Sequence, residues 1–251
     1  MLTKARHDAI VDYVDTHLSC RIKELCDLLD TSESTVRRDL VDLAKQGRIK
    51  RVHGGALTIK NSENDVSQKI RFSLNISQKK AIANYAVDHY VHSGMRIYLD
   101  AGTTIYQMIP ALKQVPDLLV VTNAPATALA LIEAGISTIM LGGILKEETQ
   151  VVVGGISQKQ LADYHFSWAI LGANGLSSTG KLTTPDVKEA SLKEVAIAQA
   201  DNSIVLLDDS KIGQQNFATF ADAKSVKVIT NQLSQKNRAR LPEGIKLEEV
   251  N

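Results

Sequence analysis

The sequence predicts a two-part α/β protein: an N-terminal winged helix-turn-helix followed by a larger domain built on a mostly parallel sheet. Three observations predict it. Residues 1–57 are dense in charge and helical in period, and they close on a basic run punctuated by glycines. From about Ser73 onward, short Val/Ile/Leu runs alternate with helical stretches, the pattern of strands covered on both faces by helices. Between these lie residues 58–72, TIKNSENDVSQKIRF, which are polar and aperiodic and read as a linker. The expected organisation is therefore 1–57, linker 58–72 and 73–251. A chain of 251 residues with 44% hydrophobic and 23% charged residues suits two ordinary globular cores.

Several classes drop out on composition. The net charge of +1 leaves no global affinity for polyanions, so any nucleic-acid surface must be local. No apolar run reaches the roughly 18 residues of a membrane span, and Met1–Ile10 is charged and lacks a signal core, so a cytoplasmic protein is expected. Cys20 and Cys26 lack zinc-site spacing and read as buried thiols of a reducing compartment. His89, His92 and His165 lie apart, so neither a metal nor a cofactor is expected.

In the first module, a helix over Thr3–His17 carries Ile10, Val14 and Leu18 at four-residue spacing. A second helix, Ile22 to Leu29, buries Ile22, Leu25 and Leu28 or Leu29. After Asp30-Thr31, Ser32 is a natural N-cap for a third helix running to Gln46, with Glu33 in its first turn and Gly47 as its stop. At 100° per residue Val36, Leu40 and Leu43 share one face of it. The opposite face offers Ser34, Arg38, Val41 and Lys45, flanked by Thr35 and Arg37. Arg48 to Ala56 then reads as a short basic hairpin, the wing.

Charge supports that placement. Residues 37–51 hold six basic and two acidic groups, while residues 1–36 hold four basic and seven acidic ones. Positive charge thus collects on the third helix and wing, with an acidic scaffold behind. A solvated helical face would explain a charge run alone, but not its coincidence with a capped helix and a basic wing. The candidate DNA contacts are Ser34, Thr35, Arg37, Arg38 and Lys45 on the helix and Lys50, Arg51 and His53 in the wing.

In the second domain the expected strands are Met95–Leu99, Leu118–Thr122, Ser137–Leu141, Ser167–Leu171, Ser203–Leu207 and Val226–Ile229, with helices Thr104–Leu112, Pro125–Ala134, Ser157–Tyr164 and Asp186–Ala200. Lys79-Lys80 reads as a solvated helix start and Trp168 as core. Leu99-Asp100-Ala101-Gly102-Thr103-Thr104 ends a strand and opens a helix, where a glycine, two hydroxyls and free N–H groups favour an anion. Thr122-Asn123, Gly142-Gly143 and Asp209-Ser210-Lys211 end further strands, and in an open parallel sheet such ends converge. Small polar groups with one lysine there suit a phosphorylated small molecule.

The strings Ile22-Lys23-Glu24-Leu25, Ser32-Glu33-Ser34-Thr35-Val36-Arg37-Arg38-Asp39-Leu40 and Arg51-Val52-His53-Gly54-Gly55-Ala56 together resemble the DeoR-type regulator signature. The resemblance continues through DAGTT, TN, GG, GANG, KLTTPD and DDSK in the family's order, and so covers nearly the whole chain. It implies that Thr35, Arg37 and Arg38 meet operator DNA. It also implies a sensor domain resembling ribose-5-phosphate isomerase, in which Gly102, Thr103, Thr104 and Lys211 hold the phosphate of a sugar-phosphate effector. Asn123, Asn174 and Gly175 then lie nearer the sugar, with Asp100 and Gly143 in the same loops. Homodimers or homotetramers are implied as well.

Against the isomerase stands one departure. Where that enzyme has D-G-A-D, this chain has Leu171-Gly172-Ala173-Asn174, which cannot take and return a proton. Glu189 stands near the expected base position, either as a remnant or as an exposed helix residue, with Lys193 as a possible i,i+4 partner. The expectation is a non-enzymatic, effector-controlled repressor of carbohydrate-metabolism genes. The competing readings are a catalytically active sugar-phosphate isomerase with a DNA-binding appendage, and a protein–protein module without DNA affinity.

Overall fold

The computed structural model describes residues 3–17, 19–52, 54–58, 72 and 74–250 and divides into two units, Met1–Asn75 and Ile76–Asn251. In the first, α1 (Thr3–His17) leads through β1 (Ser19–Arg21) to α2 (Ile22–Leu29), α3 (Glu33–Lys45), β2 (Ile49–Val52) and β3 (Gly55–Thr58). Ile10, Val14, Leu25, Val36, Leu40 and Leu43 are fully buried in one cluster, as the periodicity requires. Leu29 packs against it and Leu28 is exposed; Leu18 lies outside the described residues. Most of the expected linker, 59–71, also lies outside them.

Local chemistry sets the ends of α3. Ser32 accepts from Thr35 N–H at its start. At its end Gly47 adopts φ +66°, Gly47 N–H donates to Ala44 O (3.1 Å) and Arg48 N–H to Leu43 O (3.0 Å), a complete Schellman pair. The expected two-stranded wing is a three-stranded antiparallel sheet, β1-β3-β2. β1 pairs so closely that a Cβ on Gly55 would lie 1.8 Å from Cys20 O. Burial there pushes the Cys20 thiol pKa up to about 11, so it is an inert core group.

The second unit opens with α4 (Ile76–Tyr90), followed by β4 (Arg96–Leu99), α5 (Thr103–Tyr106), α6 (Ile109–Leu112), β5 (Leu119–Thr122), α7 (Pro125–Glu133) and β6 (Ser137–Met140). A small hairpin, β7 (Ile144–Leu145) and β8 (Val152–Val153), precedes α8 (Gly155–Ala162), β9 (Phe166–Gly172), β10 (Gly175–Leu176), β11 (Lys181–Thr184) and α9 (Val187–Ala198). The chain ends with β12 (Ala200–Leu206), a 3-10 turn at Asp209–Lys211, β13 (Ala218–Asp222), β14 (Lys227–Asn231), α10 (Gln235–Arg238) and β15 (Lys246–Val250).

Seven strands form one parallel sheet in the order β15-β14-β12-β9-β4-β5-β6. The chain steps outward from β4 to β6 and then returns to lay β9 on the other side of β4. The strand order therefore reverses between β4 and β9. Alternation along the strands feeds two cores. Tyr98, Val121, Leu171 and Val205 face one, with α9; Ile97, Leu99, Val120 and Ile170 face the other, with α4. The antiparallel sheet β10-β11-β13 sits apart from this frame.

All six expected parallel strands are present, within a few residues of their expected bounds. Three expectations change. Thr104–Leu112 is two short helices, because Pro110 cannot continue a helix begun upstream. Lys79-Lys80 lies near the start of a 15-residue helix and Lys80 is exposed as expected, but Lys79 is buried rather than solvated. β15 was not anticipated, since Lys246-Leu247-Glu248-Glu249-Val250 has too little apolar content to read as a strand.

Candidate functional site

On the first unit, Ser34, Arg37, Arg38, Lys45, Lys50 and Arg51 are exposed and Thr35 is half-buried; His53 lies outside the described residues. The bases differ in what they touch. Arg37 Nε donates to Glu33 Oε1 at 2.9 Å, one turn back, and Arg48 Nη2 donates to Asp8 at 2.7 Å. Arg38, Lys45 and Arg51 have no ionic partner among the described residues, which leaves them with the positive charge that the composition placed here.

Asp39, counted from sequence as a surface acid, is buried. Arg6 Nε donates to its Oδ2 at 2.6 Å and Arg6 Nη2 to its Oδ1 at 2.9 Å, with His7 Nε2 3.0 Å from Oδ1. Burial disfavours the charge, but the bonds from Arg6 and His7 outweigh it and hold the carboxyl below its usual range. The acid beside Arg38 is therefore neutralised from behind, and α3 is tied to α1. No local signal links residues more than 30 positions apart, so sequence reasoning missed this clamp.

In the second unit, Gly102, Thr103 and Thr104 follow β4, Asn123 follows β5, Gly143 follows β6, Asn174 follows β9, and Lys211 follows β12. Because these strands are parallel, their carboxyl ends share one edge of the sheet. Gly175 departs from that group. It sits buried in β10, where a Cβ would come within 2.4 Å of Gln214 O, so packing explains its lack of a side chain. Gly143 adopts φ +146°, and a Cβ there would meet Ser157 Oγ at 2.3 Å.

The edge is knitted at the switch point. Asp100, expected at a ligand, is buried and forms an ion pair with Lys193; its Oδ2 also accepts from Gly172 N–H at 3.0 Å. Lys193 Nζ in turn donates to Gly172 O at 3.1 Å. Burial pushes the Asp100 carboxyl up, and Lys193 and Gly172 offset only part of that. Gly102 and Gly172 face each other across this seam, the Cβ position of each lying 3.8 Å from the other's Cα.

Lys193 thus pairs with Asp100 and not with Glu189. Glu189 is largely buried and accepts from Thr149 Oγ1 at 2.8 Å and Lys146 Nζ at 3.2 Å, while Lys146 also reaches Asp186 at 2.8 Å. It is neither an exposed helix residue nor a free base. Bonds from Lys146 and the N–H groups opening α9 outweigh burial and lower the Asp186 carboxyl. The Asn174 carboxamide accepts from Thr184 Oγ1 at 3.2 Å, and Asn123 Nδ2 donates to Val152 O at 3.2 Å. Lys211 is half-buried and engaged with neighbouring groups. Among the described residues no helix is long and apolar enough to cross a membrane, and none of their His, Cys, Asp and Glu side chains form a cluster suited to a metal.

Two family models match the chain: the DeoR-like helix-turn-helix domain over residues 6–62 and the DeoR C terminal sensor domain over residues 74–232. The helix-turn-helix-type transcriptional regulator FruR of Bacillus subtilis is 40% identical over 94% of this chain and 93% of its own length. The transcriptional regulator GlpR of Haloferax volcanii is 31% identical over 90% and 88%. The lactose phosphotransferase system repressor of Staphylococcus epidermidis is 28% identical over 93% and 94%. Among solved structures, ribose 5-phosphate isomerase from Plasmodium falciparum aligns over 54% of this chain and 52% of its own, with 20% identity and a TM-score of 0.41.

Proposed function

The chain belongs to the DeoR family and is a DNA-binding transcriptional regulator, not an enzyme; from that premise we propose that it is a cytoplasmic repressor of carbohydrate-metabolism genes whose hold on operator DNA is shifted by a phosphorylated sugar. The observation that carries the DNA half is the segregation of charge on the first unit. Asp39, Glu33 and Asp8 are paired with Arg6, Arg37 and Arg48, and Arg38, Lys45 and Arg51, which have no ionic partner among the described residues, lie on α3 and the wing. In this reading Arg38 and Arg37 meet base edges or phosphates beside Ser34 and Thr35, while Lys45, Lys50, Arg51 and His53 meet the backbone. One recognition helix reads only a few base pairs, so useful specificity calls for at least a homodimer on paired half-sites.

The effector half rests on the shared strand-end edge. Gly102, Thr103, Thr104 and Lys211 would take the phosphate, with Asn123, Gly143 and Asn174 nearer the sugar. Names among the relatives, an aga operon transcriptional repressor and a lactose phosphotransferase system repressor, support sugar genes as the target. Isomerase chemistry has no support at this edge, because Leu171 and Asn174 cannot shuttle a proton and Glu189 is held by Lys146 and Thr149. A thermal-shift screen of the full chain against fructose 1-phosphate, tagatose 6-phosphate, ribose 5-phosphate and glycerol 3-phosphate tests the reading. A true effector at 100 times its dissociation constant adds about 2.7 kcal/mol, and no shift from any of them would count against it.

A further inference from the structure

Three buried side-chain polar atoms lack any hydrogen-bond partner among the described residues: Tyr98 Oη and Asn123 Oδ1, at the neighbouring strands β4 and β5, and Thr230 Oγ1 on β14. Native proteins rarely leave such groups unpaired, and each calls for an explanation. Tyr98 lies two positions before Asp100 on β4, so the pleat aims both side chains to the same side, the side of α9. On the neighbouring strand Leu99 stands opposite Thr122, which brings Asn123 level with Asp100 one step later. Asn123 is fixed rather than free, since its Nδ2 donates to Val152 O and leaves Oδ1 with no alternative contact.

Tyr98 is fully buried, its ring tilted against Phe166 with centroids 5.9 Å apart. Its oxygen is near enough to Asp100 and Glu189 to feel both. After burial, which is the larger cause, their charges raise the phenol further, so it stays an O–H. The phenol therefore lies in the core on the α9 face of the sheet, on the strand that leads into Asp100, and it can both donate and accept.

We propose that Tyr98 Oη and Asn123 Oδ1 are built to bind the hydroxyl-bearing carbon chain of the effector, with Tyr98 as a specificity-determining residue. The inference rests on the phosphorylated-sugar reading above and adds which end of that ligand each atom recognises. Asn123 Oδ1 only accepts, so it takes a ligand hydroxyl. Tyr98 Oη can donate to the oxygen of the next one. A site with buried polar groups rejects a ligand lacking the matching hydroxyl far more strongly than an apolar site rejects an added one.

The test is Tyr98→Phe in the full chain, which removes one oxygen and keeps the ring on Phe166. Titration calorimetry would use the same four sugar phosphates, with inorganic phosphate as a control for the anion end. The expected result is a ten- to hundredfold loss of affinity for the sugar phosphate that binds best. Inorganic phosphate binding should be unchanged, and the ligand-free melting temperature unchanged or higher, because no native bond is lost. Affinity within twofold of the parent, or a lower ligand-free melting temperature, would overturn the assignment of Tyr98 while leaving the sugar-phosphate reading intact. If the parent protein binds none of the four, that reading falls and this inference falls with it.

Discussion

Arg6 on α1 grips Asp39 on α3 through two guanidinium nitrogens, at 2.6 and 2.9 Å. Both oxygens of Asp39 are occupied, and His7 closes on one of them at 3.0 Å. These bonds make a buried acid tolerable next to Arg38, because its charge is met from the protein side.

Asp39→Ala would leave a partly buried Arg6 and a buried His7 beside an empty position. Losing hydrogen bonds to a charged group costs about 1.5–3 kcal/mol, and the N-terminal unit should lose a comparable amount in urea or thermal melts. A loss below about 1 kcal/mol would show that the clamp is not made in solution.

The same bond fixes a pH dependence. Asp39 has its carboxyl lowered in the folded unit. Its contribution is therefore complete above the unfolded value of about 3.9 and is lost as pH falls through the lower folded value. The Asp39 contribution, read as the difference between the parent and Asp39→Asn, should be constant from pH 7 to 5 and fall below about pH 4.

Arg38 is exposed and has no ionic partner among the described residues. Arg38→Ala should weaken specific operator binding by about 1–3 kcal/mol while leaving sugar-phosphate binding unchanged by calorimetry. Full operator affinity in the variant would mean that α3 presents a different face to DNA.

Lys211→Ala and Thr103→Ala should have the reverse phenotype, with operator binding retained and its response to the sugar phosphate lost. Anisotropy with labelled operator, with and without the sugar phosphate, reads both properties in one titration. A variant that still responds at parental concentrations would remove that residue from the phosphate end.

Much of this was legible in the sequence because it is local. The start and stop of α3 follow from Ser32 and Gly47, and its buried stripe from the spacing of Val36, Leu40 and Leu43. The parallel strands announced themselves as continuous apolar runs. What stayed hidden was long-range pairing between charged residues. Nothing near Asp39 points to Arg6, and nothing near Asp100 points to Lys193, 93 positions away. Helix periodicity offered Lys193 a closer partner in Glu189, but burial decided otherwise: the deeper carboxylate, Asp100, had the greater need of a cation. β1 was missed because three residues carry no period, and it exists only through β3.

Operator binding by the full chain and its response to a sugar phosphate can be measured together. Fluorescence anisotropy on a fragment upstream of its own gene, across a salt series, should give a log–log slope of about −3 to −6 per DNA-binding unit if roughly four to six phosphates are neutralised. One of the sugar phosphates should then shift that affinity at fixed salt. A salt-independent signal, or a salt-dependent one that no sugar phosphate moves, would contradict operator control by a sugar phosphate.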